Sequence, residues 1–151
     1  MGKVYIIGTG PGSRDYILPL AEKAIHQADI VIGAERLLSF CPKGKKTIVL
    51  KGNYSRVLDY IKKNKEKKKI AVLVSGSPGV FSFSRKIISA LKHFEYEVIP
   101  GVSPLQIACA LAGETWDDLR IVSLHGKTLR GLARTVIANK KVMVFCDNRN
   151  T

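Results

Sequence analysis

The feature that most constrains the fold is an apolar run near the amino terminus that ends abruptly in a glycine-rich turn. Residues 4–7 all favour strands and do not alternate with polar residues, and Gly8-Thr9-Gly10-Pro11-Gly12 follows them. A continuous apolar strand is typical of a parallel sheet that is covered on both faces. Glycine lets the backbone turn sharply or approach a ligand closely, and proline stiffens such a turn. The stretch therefore predicts a strand whose turn lies at the carboxyl edge of a sheet, where open α/β folds bind ligands.

Two well-known nucleotide-binding motifs do not fit this chain. The dinucleotide fingerprint fails because Ser13 stands where the third glycine or alanine is required. It also fails because Asp29 comes before Ile30-Val31-Ile32 of the second predicted strand, whereas the fingerprint needs an acidic residue after that strand. Gly126-Lys127-Thr128 is not a phosphate loop, since Ile121 occupies the position of the leading glycine. On the first turn alone, we interpret these glycines as a tight connection between a strand and a helix and not as a ligand-binding site.

The charge of the chain predicts an anionic partner. The 151 residues are enough for one domain or two small lobes, and they carry a formal net charge of +13. Part of this charge is local, because six lysines crowd residues 62–69 at the end of a predicted helix. We interpret that cluster as a solvated helix terminus, where cations also suit the helix dipole. The remaining excess suits either nucleic acid or a small polyanion.

Composition also bears on the compartment. No apolar run approaches the roughly 20 residues of a membrane span, and no secretory leader is recognisable, so we expect a soluble cytoplasmic protein without a membrane partner. The three cysteines, Cys41, Cys109 and Cys146, are odd in number and far apart. This spacing predicts reduced thiols and no structural metal site.

Strands and helices are predicted to alternate along the chain. After the first strand, strands are expected at residues 29–32, 47–50, 70–74, 97–99, 119–124 and 141–146. Helices are expected at residues 16–25, from 53 or 55 to 65, and at 81–92, 104–112 and 128–138, with a helical turn at 35–40. Such alternation predicts a parallel α/β sheet. We place an N-terminal α/β lobe at residues 1–112 and a partial C-terminal α/β lobe at residues 113–151.

Two further special turns follow predicted strands. Ser75-Gly76-Ser77-Pro78-Gly79 comes after the fourth strand, and Pro100-Gly101-Val102-Ser103-Pro104 comes after the fifth. In the third turn Ser103 can cap a helix that has Pro104 at its first position. Since the carboxyl ends of parallel strands share one edge, the three turns are expected to converge there and to form a ligand cleft.

In this order and spacing, the three turns resemble those of the tetrapyrrole methylase family. These enzymes transfer a methyl group from S-adenosylmethionine to precorrins, uroporphyrinogen and a few other acceptors. The resemblance is carried by residues 5–16, 28–33, 75–80 and 98–103 and extends over the whole chain. Within the family, Ala34-Glu35-Arg36-Leu37-Leu38, Phe81-Ser82 and Ser123-Leu124-His125-Gly126-Lys127 most resemble the cobalt-precorrin-7 C5-methyltransferases of cobalamin biosynthesis.

The resemblance implies two α/β lobes with a ligand cleft between them and S-adenosylmethionine as cofactor. Matching the family's cofactor contacts position by position gives Pro11, Ser75, Gly76, Ser77, Val80, Ser103, Pro104 and Cys146. No catalytic base is assigned, because the sulfonium of the cofactor is already activated and positioning supplies much of the rate. The implied substrate is an anionic tetrapyrrole, which suits the positive charge. A homodimer and a partnership with a C15-methyltransferase/decarboxylase are left open.

Three departures from the family pattern modify these expectations. Ser77 replaces an aspartate, and Leu18 stands where a threonine commonly opens the first helix. The chain also ends short of its relatives, from which we expect an incomplete second lobe, reduced activity and self-association.

Two alternatives remain beside the precorrin methyltransferase. One is an RNA ribose methyltransferase of the same superfamily, which the net charge permits, although the sequence has no run of interleaved aromatic and basic residues and Gly10-Pro11-Gly12 fits the tetrapyrrole branch better. The other is a non-catalytic remnant that keeps the fold.

Overall fold

The chain divides into two compact units. The computed structural model describes residues 2–125 and 129–146, and packing separates Met1–Pro104 from Leu105–Thr151. The lobes expected from the sequence, residues 1–112 and 113–151, place the boundary at the other end of a helix, Pro104–Ala112. Those lobes stay a prediction.

The first unit is built on a five-stranded parallel sheet, which confirms the predicted parallel α/β fold. The strands are β1 Lys3–Gly8, β2 Ile30–Gly33, β3 Lys46–Val49, β4 Lys69–Val74 and β5 Tyr96–Ile99. Their spatial order is β3-β2-β4-β1-β5. In the centre of the sheet Ile6 of β1 is in register with Val72 of β4 on one side and with Val98 of β5 on the other.

Helices connect the strands. They are α1 Pro19–Gln27, α2 Tyr54–Asn64, α3 Ser84–Ile88 and α4 Pro104–Ala112, together with 3-10 helices at Arg14–Tyr16, Glu35–Phe40 and His93–Glu95. None of the helices within residues 2–125 and 129–146 has both the length and the apolar character needed to cross a lipid bilayer.

The sheet of the first unit has a hydrophobic core on each face. Helices α2 and α3 pack Val57, Ile61 and Ile87 against one face, together with Phe83 directly before α3. Helix α1 and the 3-10 helix at Glu35–Phe40 pack Ala21, Ala24, Ile25 and Leu37 against the other face. Successive residues of β1 point to opposite faces of the sheet: Ile6 packs in the core beneath α2 and α3, and Ile7 packs in the core beneath α1. Both are fully buried, as expected for an apolar strand between two helical layers.

Several helix boundaries differ from the sequence prediction. Helix α1 begins at Pro19 and not at residue 16, because Arg14–Tyr16 forms a separate 3-10 turn that ends in extended backbone at Ile17. Proline suits the first helical position because its missing N–H has no helical partner there. Leu18 at the cap makes no side-chain hydrogen bond, in line with the expected loss of a cap.

The helix predicted at residues 81–92 was wrong in length. Only Ser84–Ile88 is α-helical, and the 3-10 helix at His93–Glu95 follows. The backbone of Phe81 lies in the left-handed region, with φ of 42°, which a helix cannot contain. Asn53 does precede α2, but its side chain does not cap the helix; it accepts from the Lys51 N–H at 2.9 Å and donates to the Val49 carbonyl.

The second unit contains a parallel strand pair. Strands β6 Arg120–Ser123 and β7 Val142–Phe145 are paired in register, and helix α5 Leu132–Ile137 lies between them in the chain. The Lys141 ammonium, directly before β7, binds the carboxylates of Glu114 at 2.7 Å and Asp118 at 3.2 Å. The start predicted for this helix at residue 128, like Gly126-Lys127-Thr128 as a whole, lies outside the described residues.

Candidate functional site

The strand order of the first unit creates crevices at the carboxyl edge of its sheet. The chain leaves β1 and β2 toward the face covered by α1, and it leaves β3 and β4 toward the face covered by α2 and α3. Neighbouring strands β1 and β4 therefore send their loops to opposite faces, and so do β2 and β4. Open α/β sheets bind ligands where adjacent connections diverge in this way.

An antiparallel bridge joins the first two turns between β1 and β4. The Gly10 N–H donates to the Gly76 carbonyl at 3.3 Å, and the Gly76 N–H donates to the Gly10 carbonyl at 2.8 Å. Thr9, which is fully buried, donates from both its N–H and its Oγ1 to the Val74 carbonyl, at 3.0 and 3.1 Å. These bonds satisfy buried polar groups and fix the two turns against each other.

The third turn meets the first two backbone to backbone. A Cβ added to Gly8 would lie 2.5 Å from the Gly76 carbonyl oxygen and 2.7 Å from the Gly101 nitrogen. A Cβ added to Gly101 would in turn collide with backbone atoms of Gly8 and Gly76. Only glycine allows three main chains to approach so closely. The predicted convergence of the three turns is confirmed, and we call this meeting point of Gly8, Gly76 and Gly101 the glycine junction.

Seven of the eight predicted cofactor contacts lie around the glycine junction. Gly76 has φ of 64° and sits so close to Pro104 that an added Cβ would be 2.7 Å from its Cδ. Ser103 is buried, with 3% of its surface exposed. The other four are half-buried in the first and second turns, namely Pro11, Ser75, Ser77 and Val80. The Val80 N–H donates to the Ser77 carbonyl at 3.1 Å, which closes the second turn.

The eighth predicted contact, Cys146, belongs to the second unit. It is exposed, and its Sγ lies 3.9 Å from the Val144 carbonyl oxygen. The roles of all eight residues in holding a cofactor stay a prediction.

A second feature of the same edge was missed by the sequence analysis. Two adjoining cavities, of about 520 and 180 Å³, share Ala34, Arg36 and Leu50 in their walls. The larger one lies between the ends of β2 and β3, and the smaller one lies between β2 and β4. We call the two together the basic groove; its other wall residues are Glu35, Leu37, Val49, Lys51, Tyr54, Leu73, Val74, Ser75, Phe81, Ser82 and Phe83. The sequence feature that could have indicated this groove is Arg36, a cation three residues after the end of β2, which Sequence analysis names only within the motif Ala34-Glu35-Arg36-Leu37-Leu38.

The ion pair with shifted pKa values, Lys65 and Glu95, does not lie at the carboxyl edge of the sheet. The hydrogen bond between Lys65 and Glu95 raises the pKa of the lysine and lowers that of the glutamate, and these residues precede β4 and β5 at the amino edge of the sheet. Burial raises the pKa of the Cys41 thiol. Within residues 2–125 and 129–146, no three His, Cys, Asp or Glu side chains are grouped in a way that could hold a metal ion.

Comparison with known proteins agrees with this geometry. The chain matches the tetrapyrrole (corrin/porphyrin) methylases over residues 3–150. It is 33% identical over 150 residues to a protein of Methanocaldococcus jannaschii named probable cobalt-precorrin-7 C(5)-methyltransferase, and the match covers 96% of this chain and 71% of that protein.

Solved structures with the same fold include two methylases. The precorrin-6Y methylase of cobalamin biosynthesis from Archaeoglobus fulgidus superposes with a TM-score of 0.76 at 18% identity, covering 96% of this chain and 73% of that one. A uroporphyrin-III C-methyl transferase from Thermus thermophilus, solved as a complex with S-adenyl homocysteine, gives a TM-score of 0.62 at 21% identity and covers 82% of this chain and 56% of that one. The match over residues 3–150 and the identity to the archaeal relative establish that this chain belongs to the tetrapyrrole (corrin/porphyrin) methylase family.

Proposed function

We propose that this protein transfers a methyl group from S-adenosylmethionine to a carbon atom of a precorrin, at C5 of cobalt-precorrin-7. The observation that carries the proposal is the glycine junction, where three turns meet at the ligand-binding edge of the sheet in a chain of this family. The C5 position is supported by the name of the archaeal relative and by the motif Ala34-Glu35-Arg36-Leu37-Leu38.

The residues around the glycine junction fit such a cofactor chemically. Its adenine, ribose and methionine groups need hydrogen-bonding partners at close range, and side-chain-free backbone can supply them. Next to the junction, Gly12 and Gly79 border open space, since an added Cβ at either would meet nothing within 4 Å. The half-buried Pro11, Ser77 and Val80 offer a shaped wall with one hydroxyl group beside that space.

The protein's contribution to the reaction is to hold and orient. When bound, S-adenosylmethionine supplies a methyl group that its sulfonium has already activated, so no protein nucleophile is required. The three turns would fix the donor against a rigid sheet edge, because bonds between Gly10 and Gly76 tie the loops together. Correct orientation of two reactants can lower a barrier by about 7–11 kcal/mol.

The test of this proposal is calorimetric titration with S-adenosylhomocysteine, with NAD as the comparison ligand. The parent protein should bind the homocysteine compound and not NAD. Gly76→Ala places a methyl group 2.7 Å from Pro104 on a backbone with positive φ and should abolish binding, whereas Gly44→Ala, which also has a positive φ but faces open space before β3, should keep it. Thermal unfolding of both variants checks that they fold. Tight NAD binding without homocysteine binding would refute the proposal.

The acceptor requires a separate measurement. Methyl transfer from a ¹³C-labelled donor to cobalt-precorrin-7, followed by NMR of the product, should show the label at C5. A label at another carbon would keep the methyltransferase and change its position. Binding to RNA that weakens steeply with salt would instead favour the RNA ribose methyltransferase, since phosphate contacts release counterions. The homodimer and the partnership with a C15-methyltransferase/decarboxylase stay predictions.

A further inference from the structure

We propose that the amino edge of the five-stranded sheet, the edge opposite the glycine junction, binds the surface of an anionic lipid bilayer. The binding surface consists of six exposed lysines and one exposed aromatic ring, and we call it the lysine face. Its residues are Lys43, Lys46, Lys62, Lys63, Lys67, Lys92 and Phe94. The inference goes beyond the proposed function and does not depend on it, because no residue of the lysine face belongs to the glycine junction.

Three loops that are far apart in the chain bring these residues together. Residues 43–46 lead into β3, residues 62–69 lead into β4, and residues 92–95 lead into β5. Since parallel strands begin at the same edge, the three loops lie along the amino edge, where five strands about 4.8 Å apart span roughly 19 Å. A solvated helix terminus accounts for the lysines at the end of α2, but it does not account for those before β3 and β5.

The amino edge carries an excess of positive charge that its own acids do not neutralise. Its strand starts and the loops before them hold eleven lysines, four acids and no arginine, a net charge of +7, in residues 2–3, 26–30, 41–46, 62–69 and 92–97. Three of the acids are already paired, Glu97 with Lys3 at 2.9 Å and both Glu95 and Glu66 with Lys65. The six lysines of the lysine face make no ion pair with any residue that the structure describes. Like charges on one surface repel each other, and an anionic surface offsets this repulsion.

The kind of cation on the lysine face favours a lipid surface. Arginine is the usual cation of nucleic-acid and protein interfaces, because its planar fork binds phosphate or carboxylate through two hydrogen bonds. Lysine acts instead as a point charge on a flexible stem, and clusters of lysines are attracted to anionic bilayers without specific pairing. A surface with six lysines and no arginine fits the second kind of attraction.

Phe94 supplies an apolar group among the lysines. It is 77% exposed, and it lines a cavity of about 390 Å³ together with Gly2, Lys65, Glu66 and Glu95. The Lys92 ammonium lies 5.8 Å from the centre of its ring. Protein segments that lie in the interface of a bilayer combine lysines with an apolar side chain that enters the headgroup region.

The same ring argues against a strand of nucleic acid as the partner. Single-stranded nucleic acids stack successive bases on several aromatic side chains. Along the amino edge, whose residues 2–3, 26–30, 41–46, 62–69 and 92–97 are all described, Phe94 is the one exposed phenylalanine, tyrosine or tryptophan.

Binding of this kind leaves the other edge of the sheet free. The expectation of no membrane partner rested on the lack of an apolar run long enough to span a bilayer, and surface binding needs no such run. The glycine junction lies at the carboxyl edge, so a protein bound through its lysine face would keep that junction turned toward the solution.

The test is cosedimentation with vesicles of equal parts phosphatidylglycerol and phosphatidylcholine, compared with vesicles of phosphatidylcholine alone. The parent protein should bind the anionic vesicles at low salt, should be released as salt screens the charges, and should not bind the neutral vesicles. Lys46→Gln should weaken binding about fivefold, which is the contribution of one lysine near an anionic surface. Lys51→Gln is the matched control, because this exposed lysine follows the same strand at the opposite edge, roughly 15 Å away. It should change the affinity less than about twofold, since that distance exceeds the screening length at about 0.1 M salt.

The aromatic ring is tested with a second pair of variants. Phe94→Ala should weaken vesicle binding about tenfold, because the burial of one phenylalanine side chain is lost. Phe81→Ala removes a ring that is 59% exposed in the turn after β4, at the carboxyl edge, and should leave vesicle binding unchanged. Thermal unfolding checks that all four variants fold. Calorimetry with S-adenosylhomocysteine should give the same dissociation constant with and without anionic vesicles.

The outcomes separate the lysine face from the proposed function. Losses confined to Lys46→Gln and Phe94→Ala support the inference, whereas an unchanged affinity for either variant would overturn it. Equal losses for Lys46→Gln and Lys51→Gln would show attraction by net charge alone, and these losses, or no binding of the parent to anionic vesicles, would also overturn it. Tighter binding of polyuridylate or polyglutamate than of the vesicles would assign the face to a nucleic acid or an acidic protein and exclude the lipid surface. If S-adenosylhomocysteine fails to bind while the vesicles follow the expected pattern, the methyl-donor site is refuted and the lysine face stands.

Discussion

Replacing Gly8 by alanine tests whether the three turns really pack main chain against main chain. Gly8 does not have a positive φ, so the backbone itself accepts alanine, and the lower entropy of the unfolded chain would even favour it by about 0.4–1 kcal/mol. The added methyl group, however, would lie 2.5 Å from the Gly76 oxygen and 2.7 Å from both the Gly101 nitrogen and the Pro78 Cδ. Ordinary van der Waals contact begins near 3.4 Å, so the turns must separate by most of an ångström.

The loss of unfolding free energy expected for Gly8→Ala depends on which neighbouring atoms must move to make room for the methyl group. Overpacking a well-packed interior usually costs about 1–3 kcal/mol, and flexible side chains absorb much of it. Here the obstructing atoms are two main chains and a proline ring, and the bonds between Gly10 and Gly76 hold one of those chains in place. We therefore expect a loss of about 3 kcal/mol, the upper end of that range. For a unit of this size that corresponds to a fall in Tm on the order of 15 °C.

Far-UV circular dichroism during thermal and urea unfolding measures this loss. The matched control is Gly79→Ala, since its methyl group would meet nothing within 4 Å and its φ is not positive. The control should unfold within about 0.5 kcal/mol of the parent or be slightly more stable. If Gly8→Ala and Gly79→Ala unfold together at the parent's Tm, the glycine junction is not packed as described.

Three further predictions address an ion pair, a helix end and the second turn. The hydrogen bond from Lys65 lowers the pKa of Glu95, so the stability it gives is present above the ordinary carboxyl pKa and is lost as the pH falls through the lowered value. Glu95→Gln should therefore flatten the fall of Tm with acidification that the parent shows; an unchanged acid slope would contradict this. The Lys45 ammonium donates to the carbonyls of His26 and Ala28 at the end of α1, and Lys45→Met should cost about 1 kcal/mol in urea unfolding. Ser77→Asp restores a carboxylate that can accept charge-assisted bonds and should tighten S-adenosylmethionine binding about tenfold with little change in Tm, whereas equal dissociation constants would show that this side chain does not contact the cofactor.

The strands of the sheet could be predicted from the sequence because a strand that is buried on both faces requires consecutive apolar residues. Residues 4–7 and 70–74 are continuous apolar runs, and the structure places them in β1 and β4, two of the three interior strands of the sheet. The three glycine turns were recognisable for a related reason. A position where backbones meet excludes every larger side chain, so the requirement appears in the sequence as Gly8, Gly76 and Gly101.

The helix after β4 could not be predicted in the same way. Residues 81–92 have a composition that permits a helix throughout, but the hydroxyls of Ser82 and Ser84 bind the Pro78 carbonyl and stabilise a turn in place of the first helical residues. Side-chain competition for backbone carbonyls depends on the local geometry and not on residue propensity. The basic groove could not be predicted because its wall residues come from three loops that are far apart in the chain. No single stretch of sequence shows that these loops lie next to one another.

The strand order explains why two crevices adjoin at the carboxyl edge of the sheet. Strand β4 lies between β1 and β2, and its loop turns to the opposite face from both of theirs. The second turn therefore borders a crevice on each side. Toward β1 the crevice is closed by the bridge between Gly10 and Gly76, which leaves main-chain groups at the edge. Toward β2 it stays open, because Ala34 is small and Arg36 is exposed. Residues 75–81 thus carry both a glycine that packs against two other main chains and an aromatic ring that lines the groove on the side of β2.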